Sequence, residues 1–254
     1  MSAPQGWADF RAKREETLRE PYGWLTIRSF HWVPDEPSEL PGLPGRWWVD
    51  GEDAVVELTD DSAKGDELTG PRRATVAETE RTPWLERTVD GVPTQIELLR
   101  RGGRLAIRER AETSPGREAF AGIATYPYDP AYRVQARFTP FAEWSTVDVA
   151  THRPELRQTL RAVGEVRFEL DGQPQRLTVT SIKYGLGIEF HDPTNGTETP
   201  AWRQVKIDDP DDGLVTIDLN ETILMWFAVT GHATCPAPVE GNTISVPVRA
   251  GERL

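Results

Sequence analysis

The most chemical cluster in the chain is His232-Ala-Thr-Cys235, an imidazole three residues from the single thiol. That spacing suits thiolate activation or metal ligation and makes His232 and Cys235 candidate catalytic residues. Two ligands do not fill a zinc site, so a metal or haem would need His31, His191 or an acid brought in by the fold. A lone cysteine ahead of Pro236 equally fits a small buried apolar side chain. His31, set between Phe30 and Trp32, is either a general base lining a pocket or an imidazole hydrogen-bonded in place. Arg203, Arg133, Lys206 and Lys183 are cations inside strand-like segments. With Tyr126, Tyr128 and Tyr132 they could converge on a carboxylate or phosphate, or pair with acids on a solvated face. Asp218 and Asn220 close a strand, where they serve a ligand or cap a turn. Seven of the nine tryptophans, Trp24, Trp32, Trp47, Trp48, Trp144, Trp202 and Trp226, exceed what core packing needs, and they suit an aromatic pocket as well as inter-sheet packing.

The remaining motif inventory excludes more than it supports. There is no Gly-x-Ser-x-Gly, Walker loop, His-Glu-x-x-His or paired Cys-x-x-Cys, which argues against the commonest hydrolase, nucleotide and zinc classes. Residues 208–213, Asp-Asp-Pro-Asp-Asp-Gly, look like a calcium loop, but Pro210 takes its third position and Leu219 its twelfth, so an acidic turn is the better reading. Acidic residues outnumber basic ones 41 to 29, and the net charge of −12 repels both a phosphate backbone and an anionic leaflet. Nucleic acid and membrane are therefore not expected partners; a small-molecule ligand is, and a homodimer stays open. No apolar run approaches the ~20 residues of a spanning helix, residues 1–20 are charged, and one cysteine suits a reducing compartment, so the expected location is the cytoplasm.

The elements that must position these residues are mainly strands. Trp7, Phe10, Arg14 and Leu18 fall at helical spacing and stop before Pro21, which predicts an amphipathic helix over 3–19. Residues 22–33 are dense in aromatic and β-branched types and predict a strand or a tight pair. Short strands are predicted at 46–49, 54–58, 72–79, 86–89, 94–99 and 104–110, with Asp50-Gly51, Asp90-Gly91 and Gly102-Gly103 as hairpin turns. Adjacent Trp47 and Trp48 must then point to opposite faces. Beyond the proline-rich stretch 114–130, strands are predicted at 132–138, 165–170, 176–181, 187–191, 201–207, 214–219 and 244–248. A covering helix is predicted over 151–163, from Leu156, Leu160 and Val163. The expectation is a mostly β protein with minor α. It has two antiparallel sub-structures of sandwich or barrel type, divided as an N-terminal helix (1–20), an N-terminal β part (21–125) and a C-terminal β part (126–254).

Several blocks resemble one family. Residues 114–123, Ser-Pro-Gly-Arg-Glu-Ala-Phe-Ala-Gly-Ile, and 126–138, Tyr-Pro-Tyr-Asp-Pro-Ala-Tyr-Arg-Val-Gln-Ala-Arg-Phe, are similar to the bacterial family called domain of unknown function 1684. So are the loop 190–199 with its Asp192, Gly196 and Glu198-Thr199, the strand 212–220 ending at Asn220, and the tail with Ala233-Thr-Cys235, Asn242 and residues 247–252. Tyr22-Gly-Trp-Leu-Thr26 and Phe30-His-Trp32 fit as well. The resemblance implies fold boundaries and no activity. The chain is a divergent member: where the family has an Asn-Pro-Pro-Cys segment it carries Leu224-Met-Trp-Phe227, where the family has glycines it carries Pro200-Ala-Trp202, and His232 replaces an apolar residue.

These departures cluster, and they motivate the functional expectation. It is a cofactor-independent enzyme of lyase, isomerase or hydrolase type acting on an anionic or aromatic substrate, in a pocket between the β halves. His232, His31 or Cys235 would do the chemistry, with Arg203 as anion clamp and Arg133, Lys206, Tyr132, Trp202, Trp226 and Asn220 lining the substrate. The alternatives are a phosphopeptide- or protein-binding β module of the forkhead-associated kind, reading its partner through Arg72 and Arg73, and a metal- or haem-binding protein.

Overall fold

A computed structural model describes residues 3–58, 70–183 and 185–254. Contacts divide the chain into two compact units. One joins the N-terminal segment up to Glu16 to Ala121–Leu254, and the other is Thr17–Phe120. Helix α1 spans Gln5–Leu18. Its inward positions Trp7, Phe10, Arg11, Arg14 and Leu18 follow the helical period, but two of them are arginines, so the stripe is packed without being apolar.

The smaller unit is a β-sandwich. Its strands are β1 (Ile27–Trp32), β2 (Ser38–Glu39), β3 (Arg46–Asp50), β4 (Asp53–Glu57), β5 (Arg72–Ala74), β6 (Arg81–Val89), β7 (Val92–Arg101) and β8 (Arg104–Ala111), followed by the short helix α2 (Pro115–Glu118). They form two four-stranded antiparallel sheets, ordered β1-β8-β7-β6 and β2-β3-β4-β5. Asp90-Gly91 and Gly102-Gly103 both have positive φ at each turn residue, the twist-matched geometry that two-residue hairpins require. Trp47, fully buried, packs edge-on against Trp84 in the core with Val56, Ile96, Leu98 and Ile107, while Trp48 takes the opposite face of β3. Strand β5 is shorter than the sequence suggests, and the stretch 22–26 is a tight turn of 3-10 helix at Trp24–Thr26 instead of strand.

The larger unit is built on one seven-stranded antiparallel sheet. It comprises β9 (Arg133–Ala150), β10 (Arg157–Leu170), β11 (Gln173–Ile182), β12 (Gly185–Phe190), β13 (Arg203–Ile207), β14 (Leu214–Asp218) and β15 (Ile223–Leu224), in the order β14-β9-β10-β11-β12-β13-β15. Val166, Val179, Ile188, Phe190, Val205 and Ile217 lead its core. Two expectations fail here. The covering helix over 151–163 does not form: residues 157–163 begin β10 and pair with the end of β9. Leu156, Leu160 and Val163 satisfy a helical period by coincidence, while exposed Arg157, Thr159 and Arg161 alternate with the half-buried or buried Gln158, Leu160 and Ala162, the period of two that the sheet uses. The strand over 244–248 does not form either. Ile244 and Val248 are buried, yet the carbonyls of Val248, Ala250 and Glu252 accept from the side chain of Arg203 instead of from a neighbouring strand. Gly251 (φ +72) makes that path possible, since a Cβ there would meet the Thr222 carbonyl oxygen at 2.4 Å.

Candidate functional site

Within the larger unit the sequence candidates separate into a structural network and a chemical surface. Arg203 belongs to the first. It is fully buried; Nη1 donates to the carbonyls of Ala250 (2.8 Å) and Glu252 (3.1 Å), and Nη2 to the Val248 carbonyl (2.7 Å) and Asp192 Oδ1 (3.2 Å). The expected anion clamp is thus spent on the chain's own tail. Burial pulls its pKa below the ordinary value, and Asp192 opposes that shift. Asp192 in turn receives the backbone N–H groups of Thr194 (3.1 Å) and Val248 (2.8 Å), which knits the 192–199 loop to the C-terminal segment.

A second knot lies on Glu252, which is fully buried. Oε1 takes Arg11 Nη1 at 2.6 Å and Arg14 Nε at 3.1 Å, and Oε2 takes the Leu224 N–H at 2.7 Å. Arg14 also places its guanidinium 4.4 Å from the centre of the Trp226 ring. Trp226 is therefore packed against α1. Asn220 is also structural: buried, it accepts the Asp129 N–H (3.0 Å) and donates to the Asp129 carbonyl (2.9 Å) and Asp218 Oδ1 (2.8 Å). Arg133 is exposed and lies 3.6 Å from Asp218, Lys206 is exposed, and the Tyr132 hydroxyl bonds the backbone at Pro247 and Arg249. Tyr126 donates to Glu198 Oε2 at 2.9 Å, and burial together with that acid pushes its pKa up to about 12. None of these groups is gathered round a shared ligand position.

The surface that does gather chemical side chains is a ladder of four rings. Trp202, just ahead of β13, packs on Phe227 with ring centres 4.3 Å apart, and Phe227 stacks on His152 at 4.7 Å and 15°. His191, at the end of β12, meets the edge of Trp202 at 6.3 Å. Both imidazoles are exposed while Trp202 is 8% exposed, and its indole N–H is buried without an acceptor among the described residues. A buried donor left without any partner would cost on the order of 1–3 kcal/mol. His191 Nδ1 lies 2.9 Å from the Ala201 carbonyl, which fixes that nitrogen as the protonated one when the ring is neutral and leaves Nε2 as its base. Partial burial, then the Arg153 cation, lower the pKa of His152 and keep it neutral at physiological pH.

His232 and Cys235 lie on the loop that borders this ladder. The His152 N–H donates to the Cys235 carbonyl at 2.9 Å, and Arg153 ties the same loop down through the Gly231 and Ala233 carbonyls. Cys235 is a buried thiol outside any disulfide, and His232 is half-buried. Among the described residues no three His, Cys, Asp or Glu side chains are placed to hold a metal ion. His31 lies in the other unit on β1, its Nε2 buried without a partner among the described residues and its pKa lowered by burial. Arg73, expected to read a phosphopeptide, is held by Asp50 and Asp53.

Sequence reasoning missed His152, noted Phe227 only within the 224–227 departure from the family, and weighed His191 only as a metal ligand. Their signal was available: three of the chain's four histidines fall in the larger unit, and two of them follow strand ends. It also missed Glu189, on β12, whose buried carboxyl bonds Gln204 (2.5 Å) and Thr180 (3.2 Å) and is pushed upward in pKa by burial, a carboxylic acid inside the same hairpin that carries His191 and Trp202.

Comparison with known proteins adds identity without chemistry. A solution NMR structure of an uncharacterized protein from Haloarcula marismortui is 27% identical over 56% of this chain and 81% of that one, with a TM-score of 0.45. No curated protein matches. No helix among the described residues is long and apolar enough to cross a membrane. The family model described as "Protein of unknown function (DUF1684)" matches residues 118–253, leaving the similar motifs at 22–32 outside it. Over that span, which carries Asp192, Arg203, Asn220 and Glu252, the chain belongs to the DUF1684 family.

Proposed function

We propose that this chain is a cofactor-independent enzyme of lyase, isomerase or hydrolase type, and that it acts on a flat aromatic substrate bearing an anionic or carbonyl oxygen at the His191–Trp202–Phe227–His152 ladder. The observation that carries this reading is the Trp202 N–H, buried without an acceptor among the described residues, in a ladder that ends in an exposed imidazole on either side. A planar substrate would stack on the rings, and its oxygen would accept from Trp202. His152, kept neutral by its surroundings, is suited to take a proton, and His191 Nε2 offers a second site for proton exchange. His232 and Cys235 border the ladder and would shape its rim. Arg203, adjacent to Trp202 in sequence, holds the backbone carbonyls of Val248 and Ala250, a structural role in place of a clamp.

A panel of aromatic acids and their esters, titrated against the full chain with turnover followed in parallel, tests the reading. Saturable binding by at least one member, weakened roughly tenfold or more in Trp202→Phe and Phe227→Ala, together with turnover lost in His152→Gln at near-normal affinity, is expected. Unchanged binding and turnover in all three variants would reject the site.

A further inference from the structure

At one end of the sandwich in the smaller unit, the loop after β1 meets the β3–β4 and β7–β8 turns and encloses a concave surface. A cavity of about 430 Å³ lies there among Trp32, Pro34, Asp35, Val49, Arg104 and Leu105, within the size range of small-molecule clefts. Its frame is fixed by the backbone: the Val33 N–H donates to the Leu105 carbonyl at 3.0 Å and the Val49 N–H to the Pro34 carbonyl at 2.8 Å, which ties the loop to both sheets. Most of the charge around the cavity is spent on the chain itself. Glu78 accepts the Gly102 and Gly103 N–H groups at 2.8 and 2.9 Å. Arg100 pairs with the Glu52 carboxylate at 2.9 Å and donates to the Glu52 and Val76 carbonyls at 2.8 and 2.9 Å. Two charges remain. Arg104 and Asp35 are exposed, and neither side chain has an ion-pair or hydrogen-bond partner among the described residues. The Arg104 guanidinium sits 4.1 Å from the centre of the Trp32 ring, a stacking that orients it and leaves its N–H edge for an anion.

From this geometry we infer that the cavity binds a small zwitterion of the α-amino acid class, its carboxylate on Arg104, its ammonium on Asp35 and an apolar side chain against Val49 and Leu105. Two opposite charges that line one cavity without pairing with each other are matched by a ligand that carries both partners on one short frame. A guanidinium takes a carboxylate in a bidentate pair, and a carboxylate accepts the N–H groups of an ammonium. Net charge narrows the class. The chain carries −12, and Glu52 and Glu78 add negative charge locally, so a dianion such as a phosphate ester is disfavoured while a ligand of zero net charge is not. Leu105 is buried and Val49 half-buried, which gives the ligand's side chain an apolar wall. The site lies wholly within the smaller unit and is independent of the ring ladder and of the chemistry proposed there.

The test is calorimetric titration of the full chain with L-alanine, L-leucine and L-methionine, none of which carries a ring for the ladder to stack. N-acetyl-L-leucine and L-leucine amide serve as ligands that each lack one of the two charges. Saturable binding of at least one amino acid is expected, weakened roughly tenfold in Arg104→Ala and in Asp35→Asn, with Arg46→Ala at the far end of β3 unchanged. The two leucine derivatives should bind roughly tenfold more weakly than L-leucine. Arg104 and Asp35 are both exposed, so their variants keep the fold and report on binding alone. No saturable binding by any of the three amino acids, or binding untouched by Arg104→Ala, would overturn the inference. A loss confined to Arg104→Ala, with N-acetyl-L-leucine binding as well as L-leucine, would overturn it too, because it would make the cavity a site for simple anions.

Discussion

Both units bury arginines against a single glutamate, and they do so to different ends. Glu252 faces two arginines and a backbone N–H, and the neighbouring Arg203 has both terminal nitrogens occupied and Asp192 as counter-ion. Glu97 faces three arginines, and Arg110 keeps a donor in reserve. A closed network of the first kind behaves as a keystone: it costs desolvation to assemble, but removing any member strands the others. Burial of the glutamate does not separate the two; the exposure of Arg81, whose side chain is 41% accessible, does.

The largest effect that would break this contrast is expected at Glu252. Glu252→Gln leaves Arg11 and Arg14 buried without a counter-ion and should lower stability by ~3–5 kcal/mol in denaturant unfolding. Next comes Arg203→Met, which strands three carbonyls and Asp192 and should cost about 3 kcal/mol. In the other cluster the effect should be smaller: Arg81→Met removes the guanidinium whose side chain is 41% exposed and should cost at most about 1 kcal/mol. A loss as large as that of Arg203→Met would mean that both clusters are keystones.

The smallest effect is in the pH dependence. His31 and His152 both have folded-state pKa values below the ordinary 6.5, so the unfolded chain takes up protons first as pH falls. Their contribution is present above 6.5 and is lost as pH drops through it. Thermal unfolding should therefore show a decline in that window, reduced in the His31→Gln, His152→Gln double variant.

Much of the fold was legible because strands and hairpin turns are local. Asp90-Gly91 and Gly102-Gly103 specify their turns through φ alone, and Trp47 and Trp48 divide between two faces because a strand alternates. The failures trace to long-range demands. Leu156, Leu160 and Val163 mimic a helix, and only the pairing with β9 overrules it. The tail at 244–248 looks like a strand, and only Arg203, more than 40 residues away, explains why its carbonyls go elsewhere. The site was partly legible for the same reason. Trp202 and the loop of His232 and Cys235 stood out as bulk and chemistry, but the stack of Phe227 on His152 joins positions 75 residues apart in sequence, which no local pattern records. Arg203 drew notice because of its place in the family motif, and the same motif residues turn out to hold the tail.

The central claim, that Trp202 and its ring neighbours receive the ligand while Arg203 serves the frame, is tested most directly by NMR of the Trp202 indole N–H during titration with the aromatic acids. A saturable downfield shift of that resonance, accompanied by the His152 and His191 ring signals and abolished in Phe227→Ala, is the predicted result. A ligand that binds and turns over while leaving the Trp202 indole unmoved would contradict the account.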